Sequence, residues 1–99
     1  MTIDEIIEQL DVLLNSKKRL IKVWNYLFPE ELISADTFKV SKQEEKNLKT
    51  DFVDLIKEEM ENINEVDTIR RIYYFLTGEK ISRNDIDIEG ELVYSYDTM

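Results

Sequence analysis

The sequence predicts a mainly α domain of three helices, the first long and amphipathic, closed by a small C-terminal β-hairpin. Three observations predict it. Only 2 glycines and 1 proline interrupt the chain, too few for a turn-rich all-β fold. Apolar side chains recur at helical spacing as far as Leu76, then alternate with acids from Asp85 onward. Capping pairs stand at Thr2 with Glu5 and at Ser41 with Glu44, each ahead of a helical run. At 99 residues the chain has enough surface to bury for one core and too little for two.

The first run places Ile3, Ile6, Ile7, Leu10, Leu13, Leu14, Leu20, Ile21, Trp24, Leu27 and Phe28 on a stripe that repeats every seven residues. Three apolar positions per repeat make a stripe wide enough to pack on two neighbours, which predicts one helix over 2–28, about 26 residues and about 40 Å long. Acids crowd its first turns, Lys17, Lys18, Arg19 and Lys22 follow in its second half, and Pro29 stops it. Lys17 alone interrupts the stripe, and its ammonium is expected to snorkel outward. An alternative reading breaks this helix at Asn15 and Ser16, with Ser16 capping a second helix, so that the same residues form a helical hairpin.

Residues 29–40 form a connection whose Leu32, Ile33, Phe38 and Val40 lie back on the core, with a short helical turn after Pro29. The second helix is predicted over 41–62, with Leu48, Phe52, Leu55 and Ile56 on one face and Val53, Met60 and Ile63 beside it. Its first two turns hold nothing apolar and are expected to stand in solvent. The third helix, over 65–77, buries Val66, Ile69, Ile72, Tyr73 and Leu76 and ends at Gly78 in a left-handed cap. Alternation of Ile86 and Ile88 with Asp85 and Asp87, then of Leu92, Tyr94 and Tyr96 with Val93 and Ser95, predicts a hairpin over 85–96. A three-residue loop, Glu89 to Glu91, puts both apolar rows on one face.

Composition removes most familiar chemistry. With no cysteine and no histidine there is no thiol nucleophile, no thiolate zinc site and no imidazole base or ligand. No glycine pair precedes a Lys with Ser or Thr, so no phosphate-cradling loop of that type is expected. Asp85, Asp87, Glu89 and Gly90 imitate the opening of a calcium-binding loop, but the position that needs a bidentate Glu holds Tyr96. The carboxylates lie off the apolar stripes, on helix surfaces rather than paired in a pocket, so an enzyme, a metal and a cofactor are not expected. Apolar runs are short and the first residues include Asp4, Glu5 and Glu8, so neither a membrane span nor a basic leader is expected and the chain reads as cytoplasmic.

Charge layout is the most informative feature. Lys plus Arg number 13 against 22 Asp plus Glu, a net charge of −9, which disfavours nucleic acid and anionic lipid as direct partners. One acidic block holds Asp51, Asp54, Glu58, Glu59, Glu61, Glu65 and Asp67 against Lys57 alone; a second holds Asp85, Asp87, Glu89, Glu91 and Asp97 with no base. The first block crowds the C-terminal half of the second helix while Lys39, Lys42, Lys46 and Lys49 lie near its start, so both ends oppose the helix dipole. Helix stability alone does not select that arrangement. These acids, Asp97 aside, are therefore the candidate partner-binding residues, and the expected partner is a protein with a basic surface.

The first reading is a non-enzymatic binding protein that occludes a nucleic-acid-handling surface, its carboxylates imitating a phosphate ladder. In general character, small, acidic and without catalytic groups, the chain resembles inhibitor, immunity and anti-defence proteins of bacteria and phages, with no motif behind the analogy. The second reading is a helical assembly or adaptor module, a homo-oligomer through the first helix, with Val12, Val23 and Tyr26 off its main face and Trp24, Tyr26 and Phe28 as potential anchors. The third is a small helix-turn-helix regulator in which Ser82 caps a recognition helix and Arg70, Arg71, Lys80 and Arg83 supply local positive charge. Four carboxylates at 85–91 would then face phosphates, which argues against it.

Overall fold

The structure, a computed structural model, describes residues 2–63 and 65–86. Among these the chain forms five α-helices, α1 (Ile3–Glu8), α2 (Leu10–Leu13), α3 (Lys17–Leu27), α4 (Lys42–Asn62) and α5 (Val66–Thr77), with 3₁₀ turns at Ala35–Phe38 and Arg83–Asp85. The predicted hairpin lies outside the described residues except at its start. There Asp85 belongs to the second 3₁₀ turn rather than to a strand, because Ser82 Oγ caps that turn and the Asp85 N–H bonds to the Ser82 carbonyl.

The single helix expected over 2–28 is three. At Gln9 the break is slight, since the residue keeps right-handed dihedrals and its N–H bonds to the Ile6 carbonyl, a one-residue tightening of the helix. At Asn15 and Ser16 the break is complete. Ser16 is extended, φ −74° and ψ 120°, and its Oγ accepts the Arg19 N–H to start α3. Lys17 supplies the reason. An unbroken helix would carry its ammonium on the buried stripe between Leu13, Leu14 and Leu20, where an unpaired charge costs far more than a helix end. The elbow turns Lys17 out onto Glu45 of α4, Nζ to Oε1 2.6 Å, and Lys49 Nζ donates to the orphaned Asn15 carbonyl at 3.1 Å.

The apolar stripe survives the break. Ile6, Leu10 and Leu14 from α1 and α2, and Leu20 and Trp24 from α3, are buried with Val53, Ile56 and Met60 of α4 and with Val66, Ile69, Ile72 and Leu76 of α5. Helix α3 is the hub: α4 packs on it and on α1 and α2, while α5 packs on α3 and on the second 3₁₀ turn. Cover from two neighbours widens the buried arc of α3 to include Val23, which the heptad placed off the main face. No polar or charged residue is buried among the described ones.

The connection after Pro29 is pinned by α3. Asn25 clasps Ile33 with both ends of its amide, Nδ2 to the carbonyl at 3.0 Å and Oδ1 from the N–H at 2.8 Å, and Trp24 Nε1 donates to the Glu31 carbonyl at 2.7 Å. Phe38 turns in to meet Phe52, and Phe52 meets Trp24 with ring centroids 4.7 Å apart. Leu32, expected on the core, is 69% exposed, and Val40 is exposed as well.

Helices α4 and α5 begin and end where their caps predict. Ser41 Oγ accepts the Glu44 N–H ahead of the 21 residues of α4, and Gly78, at φ +77°, takes the left-handed cap of α5. Two positions depart from the expected faces: Leu55 is 47% exposed, and Tyr73 is only half-buried. The first turns of α4 are largely exposed as expected, apart from Glu45, which serves the elbow.

Candidate functional site

With about 100° per residue, a helix that buries Val53, Ile56 and Met60 turns Asp51, Asp54, Glu58 and Glu61 to its far side. All four are exposed. Their spacing of three, four and three residues makes one row about 15 Å long. Glu44, seven residues before Asp51, is exposed and continues the row; block counting missed it, although the seven-residue interval was visible.

Most cations of α4 lie off this row. Lys42, Lys46 and Lys49 fall on the side of α4 that continues the buried row, and Lys49 serves the elbow. Lys57, the one base within the first acidic block, borders the row, three residues after Asp54 and four before Glu61, and is paired with Asp11 of α2, its Nζ 3.0 Å from each carboxylate oxygen. None of Asp51, Asp54, Glu58 and Glu61 forms an ion pair among the described residues.

Leu55 belongs to the same surface. It lies one helical turn from Asp51, Glu58 and Glu59, so an exposed leucine is bordered by carboxylates on both sides along α4. Glu59 is half-buried and stands on the flank of the row rather than in it.

Two predicted partner-binding residues have other work. Glu65 caps α5, its carboxylate accepting the N–H groups of Asp67 and Thr68 and the Thr68 hydroxyl at 3.1, 2.8 and 2.6 Å. Asp67 lies between two guanidiniums: Arg70 Nη1 and Arg83 Nε reach the same Asp67 oxygen at 3.0 and 2.8 Å, and Arg83 Nη2 holds the other. Those bonds, from Arg83 first and Arg70 second, hold the Asp67 carboxyl below its ordinary range against the opposing effect of desolvation. Local spacing could not separate Asp67 from the exposed acids, because Arg83 is sixteen residues away, whereas the cap that Glu65 makes on Thr68 spans only three residues and was a readable signal. Asp85 is exposed in its 3₁₀ turn; Asp87, Glu89 and Glu91 lie outside the described residues.

The helix-turn-helix geometry does not form in the described chain. After Gly78 the segment makes only the turn Arg83–Asp85, and Ile86 leaves it extended and buried. Arg70 and Arg83, which a DNA-reading module would present to phosphates, converge on Asp67 instead. Among the described residues no group of three or more carboxylates is arranged to hold a metal ion, and no helix is long and apolar enough to cross a membrane.

No protein-family model matches this chain, and no curated protein or solved structure matches it significantly.

Proposed function

We propose that the domain is a non-enzymatic protein-binding module that lays the outer face of α4 on a cationic surface of a partner protein. The carrying observation is the charge on one helix: Asp51, Asp54, Glu58 and Glu61 form an exposed row with no ion pair among the described residues, the bordering Lys57 is held by Asp11, and Leu55 is exposed at its side. Scattered solvating charges would interleave the two signs, as most surfaces do. A row of unpaired carboxylates raises the association rate with a basic surface, and an apolar side chain inside it supplies contact energy once water leaves.

Carboxylates at intervals of about 5 Å along a rigid helix make a regular line of negative charge, sparser than the phosphates of a nucleic-acid strand at about 3.4 Å of axis per residue but of the same sign and periodic character. The reading therefore extends to occlusion of a nucleic-acid-handling groove, the role of an inhibitor, immunity or anti-defence protein. Self-association through the first helix has less to support it. Ile6, Leu10, Leu14, Leu20 and Trp24 are spent on the domain's own core, and Val12, at 78% exposure, stands alone on α2.

The test is capture of partners from host lysate at low and at high salt, followed by competition with an oligonucleotide for the captured protein. Capture is expected to fall steeply with salt, to be displaced by the oligonucleotide, and to be lost in the combined variant Asp51→Asn, Asp54→Asn, Glu58→Gln, Glu61→Gln. Leu55→Glu is expected to weaken it while leaving thermal unfolding unchanged, since Leu55 contributes little to the core. Equal capture by the neutralised row would refute the proposal.

A further inference from the structure

Against a net charge of −9, one surface of the molecule is cationic. A groove of about 760 Å³ opens beside α5, lined by Asp67, Arg70, Arg71, Tyr74, Lys80 and Arg83, with Ile81 at its edge. Among the described residues that line it, Arg70, Arg71, Lys80 and Arg83 stand with the single carboxylate of Asp67. Its volume falls within the range of small-ligand sites, roughly 300–1,000 Å³.

The groove is built rather than incidental. Arg70 is fixed at two points, Nε to the Ile81 carbonyl at 2.7 Å and Nη1 to Asp67 at 3.0 Å. Asp67 is itself fixed, its N–H bonded to the Glu65 cap at 3.1 Å, and it orients Arg83 through both carboxylate oxygens. Two guanidiniums are thus positioned before any ligand arrives, which lowers the ordering cost of binding. Arg71 and Lys80 are exposed and form no ion pair among the described residues. Glu79, next to Lys80, does not line the groove.

Charge and donor type select the ligand. Arg71 and Lys80, two exposed cations without an ion pair among the described residues, suit two phosphate groups better than a single carboxylate, and phosphates offer the oxygen pairs that a guanidinium fork recognises. None of the α4 acids is among the described residues that line the groove.

We propose that this groove binds a small ligand carrying two linked or neighbouring phosphate groups, gripped by Arg71 and Lys80 over the prepositioned Arg70 and Arg83. The site is independent of the acidic face of α4. Free nucleotides and the bisphosphate headgroups of lipids share this chemistry. Tyr74, 44% exposed at the groove, offers a ring face to whatever carries the phosphates.

The experiment titrates the full chain with pyrophosphate, with ADP, and with vesicles containing phosphatidylinositol bisphosphate, following amide shifts by NMR and heats by calorimetry. Saturable binding of at least one probe is expected, with shifts centred on Arg71, Tyr74 and Lys80. The double variant Arg71→Ala, Lys80→Ala is expected to weaken it at least tenfold with an unchanged melting temperature, since neither side chain is buried. Tighter binding of ADP than of pyrophosphate, with the surplus lost in Tyr74→Ala, identifies a nucleotide source; binding of vesicles alone identifies a lipid headgroup. Absence of saturable binding to all three probes, or a double variant that binds like the parent, overturns the proposal.

Discussion

Lys17 Nζ lies 2.6 Å from Glu45 Oε1, joining the first residue of α3 to the first turn of α4 across the elbow at Asn15 and Ser16. This contact makes the interruption of the apolar stripe intelligible. The charge that would have been buried by a continuous helix instead ties two helices together. The hydrogen bond from Lys17 holds the Glu45 carboxyl below its ordinary range, although desolvation acts in the opposite direction.

The elbow depends more on its cap than on its ion pair. Ser16→Ala removes the acceptor for the Arg19 N–H and is expected to cost about 1 kcal/mol. Glu45→Gln is expected to cost less, because the pair is solvent-exposed and screened by salt. Urea unfolding of the two variants checks the order, read as a lower midpoint at unchanged slope; a larger loss in Glu45→Gln would reverse the assignment.

Gly78 isolates a backbone effect. Its φ of +77° favours glycine, and an added Cβ would meet nothing within 4 Å. Gly78→Ala is therefore expected to destabilise by about 1 kcal/mol through conformation alone, and Gly78→Asn by less, since asparagine tolerates the left-handed region. Equal losses in the two variants, measured by thermal unfolding, would point to a steric cause instead.

Asp67 sets an acid-side limit on the tether between α5 and the Arg83 turn. Its folded pKa is lowered from the ordinary value of 3.8, so the stabilisation it contributes is fully present above that value and is lost as pH falls through the lower folded one. The Nε–H resonances of Arg70 and Arg83 are expected to move on acidification with a midpoint below the ordinary value of 3.8. In Asp67→Asn that acid-side movement should vanish; its persistence would place the titrating group elsewhere.

The core and the helix ends were legible because both obey local rules. Ser41, Gly78 and the stripe from Ile6 to Trp24 needed only spacing and capping chemistry. Ser16 was legible as a cap, yet choosing between cap and continuous stripe required knowing that Glu45 would come to meet Lys17, a tertiary fact. The acidic row was half legible. Asp51, Asp54, Glu58 and Glu61 follow from helix period, and so does the cap of Glu65 on Thr68, three residues on, whereas Asp67 was drawn into a structural role by Arg83, sixteen residues away, which no local rule reveals. Leu55 was assigned to the core because one apolar residue on an amphipathic helix looks like another until its neighbours are placed.

Trp24 is the sole tryptophan, and its ring is 3% exposed between Phe28 and Phe52 while its N–H is anchored on the Glu31 carbonyl. One chromophore thus sits where α3, α4 and the Pro29 connection converge. Its emission is a built-in gauge of that junction: loosening of any of the three should shift the fluorescence to longer wavelength without an added label.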